Sequence, residues 1–239
     1  MTNIAIINEC SVLTDDQIIP VVAALQIQVS RDFLPAWGID AKLTFVPKGQ
    51  NPPADAWWIA ILDNSDQAGA LGYHDLTDQG LPIGKVFAAT TMQYDGKWTV
   101  AASHELLEML GDPDINLTVF VEQGRGGVLY AYENCDAVED DSLGYDINGV
   151  TVSDFVFPSW FETFRTIGPF DFCNKVDKPL QLLAGGYIGA YDIRRGSGWT
   201  QLTADGAPSS YDARPRVGSR RERRRTARRE WLKSKKQTA

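Results

Sequence analysis

The sequence predicts an α+β fold: a mixed, twisted sheet with a long N-terminal helix, a second helix that carries chemistry, and an irregular C-terminal subdomain. Three observations predict it. The chain opens with an apolar run, a capped amphipathic segment and a second apolar run. Three further apolar runs then lead into a helical segment bearing a His-Glu pair. Beyond Pro113 only short, turn-separated runs remain.

Each element has a local reason. "NIAIIN" is a short apolar run and reads as a strand. Thr14 and Gln17 have capping-box spacing, so a helix starts there. Ile18, Val21, Val22, Leu25, Val29 and Phe33 recur every three to four residues and give it one buried face. Pro20 is tolerated in the first turns, and Pro35 and Gly38 are expected to end the helix. "AKLTFVP" and "AWWIAILDN" read as strands, as do "GALGYHD" and "GKVFAATT" on either side of a Gly/Pro-rich turn. The helical link between the first two strands lets them lie parallel. "DGKWTVAASHELLEMLG" is helical and stops at Gly111, with Pro113 just beyond. Strands are expected at "LTVFVE", "VLYAYE" and "VTVSDFVF", one helical turn at "SWFETF", and a closing hairpin from "LLAGGYIGAYDI" and "GWTQL".

The organisation expected is 1–114, 115–208 and a basic tail, 209–239. Residues 1–208 hold 11 Lys/Arg against 28 Asp/Glu, a net −17, and residues 209–239 hold 12 against 3, a net +9. The 239 residues, 44% of them hydrophobic, can build one large core or two small ones. No apolar run approaches bilayer length, and the first ten residues do not read as a secretory signal. Cys10, Cys135 and Cys173 match no metal or disulfide pattern, which points to a reducing compartment.

The chemistry lies in "SHELLEMLGDPD". Residues four apart share a helix face, so the His104 imidazole and the Glu108 carboxylate can grip one cation. Glu105, beside His104, can take a proton from a water on that cation. The register H-E-x-x-E-x-x-G-x-x-D runs from His104 to Asp114 and resembles the HExxHxxGxxH motif of metzincins. Residues 4–114 as a whole resemble the N-terminal subdomain of zincin-type metallopeptidases. The stretch "YENCDAVEDDSLGYDINGVTVSDFVFPSWF" resembles, more loosely, uncharacterised zincin-like proteins of bacteria and phages.

The resemblance implies a zincin-like fold, one divalent metal, zinc by analogy, and hydrolysis of a peptide or protein substrate. It implies His104, Glu108 and a third carboxylate as ligands and Glu105 as catalytic base. Asp114 has the metzincin position for the third ligand, though Pro113 restricts the backbone there. Glu133, in "ENCD", is the rival by likeness to thermolysin-type zincins, with Asp136 then an outer partner of His104. Gly111 is expected to let the chain turn back to the metal. No Met follows Met109, so the metzincin Met-turn is absent. A His/Glu/Asp set is harder and more anionic than three His. A rival reading follows: a catalytically weak or inactive zincin scaffold with an assembly role, such as a virion component. Its basic tail, 213–239, would contact nucleic-acid phosphates or an acidic protein surface. The expected location is the cytoplasm or a virion, with no membrane partner.

Other residues draw bland expectations. His74 reads as an exposed residue on or near the edge strand, and Tyr73 and Tyr187 as packed aromatics able to stabilise an oxyanion only if they face the metal. Asp136, Glu139, Asp140, Asp141 and Asp146 read as a solvated acidic loop, and Cys135 as a small buried residue.

Overall fold

In the computed structural model, residues 1–204, 206, 209, 210 and 232 are described, apart from 68 and 197. The basic tail 213–239 lies outside the described residues except for Leu232.

Strand β1 (Thr2–Asn8) is flanked by β2 (Ala41–Val46) and β3 (Trp57–Leu62), both parallel to it. Next to β3 lies β5 (Pro82–Phe87), also parallel, and the antiparallel β4 (Gly72–Leu76) forms the edge. The order is β2-β1-β3-β5-β4. The central strands are continuous apolar runs because both faces are covered. Ile4, Ile6, Ile59, Ile61 and Val86 face the helices, while Ala5, Ile7, Trp58, Ala60 and Phe87 build a second cluster that includes Leu232.

Helix α1 (Asp15–Ile27) starts at Thr14, whose N–H donates to Gln17 Oε1 at 2.9 Å. It does not stop at Pro35. A π turn spans Gln28–Phe33, and α2 (Leu34–Trp37) continues to Gly38 at φ 70, so one helical segment bridges β1 and β2. Pro35 cannot donate to the helix, and its ring would meet the carbonyl one turn back. The wider turn, with Leu34 N–H reaching Val29 O, accommodates it.

The expected strand "GKVFAATT" ends at Phe87, and Ala88–Gln93 form the short helix α3, with Thr91 Oγ1 donating to Phe87 O at 2.8 Å. Helix α4 (Trp98–Gly111) follows, packed on β5 and β4 on one side and on β9 (Val150–Val152) on the other. Strand β8 (Tyr145–Ile147) pairs with β9 across Asn148-Gly149, both at positive φ, as a tight hairpin requires. Strands β6 (Thr118–Gln123) and β7 (Gly126–Ala131) join β10 (Tyr187–Asp192), β11 (Thr200–Thr203) and β12 (Ser209–Ser210) in a second, antiparallel sheet. Trp160, Phe161 and Phe170 fill the core beneath it. The core around α4 draws Ile147, Val152 and Phe155 from beyond residue 115. Among the described residues, no helix is long and apolar enough to cross a membrane.

Gln28, turned inward by the π segment, ties three elements together. Its Nε2 donates to Ser153 O at 2.9 Å and its Oε1 accepts from Ser103 Oγ at 2.7 Å, while Ser153 N–H donates to Ser103 Oγ at 3.0 Å. All three residues are buried. Gln28→Leu keeps the volume and orphans the Ser103 hydroxyl and the Ser153 carbonyl. It is expected to cost about 2–4 kcal/mol, measured as a lowered urea midpoint, and an unchanged midpoint would refute this role.

Candidate metal centre

Helix α4 is buried on nearly every side, which is why its apolar residues run all round. His104, Glu105 and Glu108 are 8%, 5% and 3% exposed. Polar groups stay so deep only where partners meet them. The partners come from two directions: β4 in front and the 133–139 segment behind.

The segment behind is clamped to α4. Asn134 Nδ2 donates to Leu107 O at 2.9 Å, and Val156 N–H donates to Asn134 O at 2.7 Å. A Cβ at Gly111 would stand 2.4 Å from Asn134 Nδ2, so only glycine admits this approach. The turn that follows is built by Asp112, whose carboxylate accepts N–H groups from Asn116 and Leu117. Gly111 thus serves packing rather than the chain turn expected of it.

Glu108 is the centre of the arrangement. Its Oε1 accepts N–H groups from Cys135 at 3.1 Å and Asp136 at 3.3 Å. Its Oε2 lies 3.1 Å from His104 Nε2 and 3.6 Å from His74 Nδ1. His104 Nε2 also lies 3.2 Å from Asp136 Oδ1. On the β4 side, His74 Nδ1 is 3.5 Å from Glu105 Oε2, and His74 Nε2 is 3.6 Å from Glu133 Oε2. His74 reaches the helix because its partner across the ladder is Gly84. A Cβ at Gly72 would stand 2.5 Å from Glu105 Oε1, so the strand's glycines let α4 settle close. A cleft of about 710 Å³ opens over these groups.

Burial and mutual repulsion set the protonation states. Burial lowers the pKa of His74, but the Glu133, Glu105 and Glu108 carboxylates override it and push it up to about 10. Burial likewise opposes, and Glu108 and Asp136 outweigh it, to hold His104 well above its ordinary value. Burial and the Glu108 charge raise Asp136 to about 6, despite His104. Burial raises Glu139 to about 8, with Asp136 and Glu108 adding to it against the pull of His104. Glu133 is also raised, by burial first.

The expected site residues separate here. His104, Glu105, Glu108 and Glu133 share the cleft. Asp114 does not join them: the Asp112-capped turn leaves it exposed, and it belongs to none of the metal-capable groups among the described residues. Glu133 meets His74 rather than His104, and Asp136 reaches His104 on the nitrogen that also faces Glu108. His74 is buried rather than exposed, its side chain 7% accessible. The acidic loop divides: Asp136 and Glu139 enter the cleft, Asp141 accepts the Lys97 N–H, and Asp140 and Asp146 are exposed. Strand alternation sends Tyr73 to the opposite face, where its hydroxyl donates to Asp66 and Lys85 lies over its ring. Tyr187 lines the cleft in hydrogen-bonding contact with Asp136.

Buried His, Glu, Asp and Cys side chains therefore form groups able to hold a metal ion: His104 with Glu108 and Cys135, His104 with Asp136 and Glu139, and His74 with Glu105 and Glu108. Cys10, Cys135 and Cys173 are free thiols. Reasoning on spacing missed His74 and Glu139 and gave Asp136 an outer place. The available signal was the period of β4, which sets His74 and Gly72 on one face. The chain matches no family model, no curated protein and no solved structure.

The raised values have one sign. A raised histidine stabilises the fold below its unfolded pKa and loses that contribution as the pH climbs through the folded one. A raised carboxylate holds its proton past its unfolded pKa and then opposes folding. Metal-free protein is expected to lose melting temperature from about pH 4 to about pH 10, while metal affinity, which requires these protons to leave, rises over the same window. Thermal scans and competition titrations across that range measure both trends, and a pH-independent affinity would contradict these protonation states.

Proposed function

We propose that the protein is a metal-dependent hydrolase of peptide bonds, with zinc as its ion and a zincin-like architecture. The observation that carries the reading is that His104 Nε2 lies 3.1 Å from Glu108 Oε2 and 3.2 Å from Asp136 Oδ1, with Glu105 next to His104 on the helix. Asp136, rather than Asp114, is the third ligand in this reading. The antiparallel edge strand β4 next to the site helix supports it, since an open edge beside a metal is where an extended peptide can add as a strand.

A divalent ion held by His104, Glu108 and Asp136 would supply a Lewis acid. Glu105, packed against Gly72, would act as the base that takes a proton from the attacking water and passes it to the leaving amine. Glu108 is fixed by the backbone N–H groups of Cys135 and Asp136, which hold its other oxygen toward His104. The Tyr187 phenol, kept protonated by burial and by Asp136 and Glu139, donates to Asp136 and helps to orient that carboxylate.

Glu105→Gln is expected to lower casein or peptide cleavage by about 10²–10⁴-fold while the ion at His104 stays bound. Asp136→Asn is expected to weaken metal binding strongly, and Asp114→Asn to leave it unchanged. Cleavage assays paired with metal analysis of the purified variants decide each point. Stoichiometric metal without cleavage of any peptide would sink the peptidase reading, and metal loss in Asp114→Asn would restore the register ligand.

A further inference from the structure

The cleft holds more donors than one ion uses. Five carboxylates, from Glu105, Glu108, Glu133, Asp136 and Glu139, gather around two imidazoles. Lys97 also lines the cleft, but its Nζ donates to Thr151 Oγ1 at the rim. With both imidazoles neutral and all five carboxylates ionised, one divalent ion would leave a net charge of about −3 and two would leave about −1.

The donors also fall into two sets. His104 Nε2 faces Asp136 Oδ1 and Glu108 Oε2, and His74 Nδ1 faces Glu105 Oε2 and the same Glu108 Oε2. Donors about 2.1 Å from one ion stand about 3.0–3.5 Å apart. The nitrogen-to-oxygen separations are 3.1 and 3.2 Å in the first set and 3.5 and 3.6 Å in the second. Glu105 Oε2 and Asp136 Oδ1 are buried and have no hydrogen-bond partner. Their side chains are 7% and 8% exposed, one in each set. A buried oxygen that faces an imidazole nitrogen without a well-directed hydrogen bond is placed to share a cation with that nitrogen.

We propose that the cleft is a two-metal centre: a second divalent transition-metal ion binds between His74 Nδ1, Glu105 and Glu108, and the Glu108 carboxylate bridges the two ions. The proposal rests on the reading that His104, Glu108 and Asp136 hold the first ion. Glu133 Oε2 then faces the outer nitrogen of His74 at 3.6 Å, the side on which carboxylates support metal-bound imidazoles. A shared carboxylate suits two ions about 3.5–4 Å apart, which can clamp both the attacking and the departing group of a substrate.

The test is metal stoichiometry of the full-length chain, stripped with chelator and titrated with Mn²⁺ alone. Wild type is expected to bind two ions and to show the exchange-coupled paramagnetic resonance signal of a close pair. His74→Ala and His104→Ala are each expected to bind one ion, with the coupled signal lost. Glu133→Gln, which leaves every ligand in place, is expected to weaken the second ion about 10–100-fold and so covers the case in which His74→Ala fails to fold. Wild type saturating at one ion would overturn the second site and leave the first intact. Two ions retained in His74→Ala would also overturn it, and no bound ion in wild type would overturn both readings.

Discussion

Like-charged carboxylates crowded at the floor of one cleft are the constraint on which the rest of the structure depends. Glu105, Glu108, Glu133, Asp136 and Glu139 cannot all ionise there without compensation. The backbone supplies a little of it, through the Cys135 and Asp136 N–H groups on Glu108. The two imidazoles supply more by holding protons beyond their ordinary range. Bound metal supplies it in the functional reading, and the centre is therefore coupled to protons whichever cation fills it.

Holding such a cluster together takes a scaffold that brings distant backbone close. Glycines do this at two places: Gly72 on β4 leaves room for the Glu105 carboxylate, and Gly111 at the end of α4 leaves room for Asn134. The Asn134 bond to Leu107 O anchors the segment that carries Glu133 and Asp136. On the far side of α4, Gln28 joins the first helical segment to Ser103 and Ser153. The helix is thus gripped on both sides, and its chemical face opens only toward the cleft.

The strands and helices were largely legible because their signals are local. A capping box, an apolar period of three to four residues and short apolar runs placed β1, α1, β2, β3 and α4. The errors arose where packing overrides local preference. Pro35 reads as a helix end, yet a π turn carries the helix past it. "AATT" reads as strand, yet Thr91 caps back to Phe87 and closes a helical turn. Asp114 reads as a ligand by register, yet Asp112 captures the turn and leaves it in solvent.

The sequence by itself determined that His104, Glu105 and Glu108 stand together on one buried helix, because spacings of one and four residues are enforced by helix geometry alone. Which groups meet them was decided only by the tertiary structure. His74 arrives through the order of the sheet and the two-residue period of its edge strand, and Asp136 through a segment folded back over Gly111. Such meetings depend on strand order and on how closely two backbones pack, and neither leaves a mark in the spacing of residues along the chain.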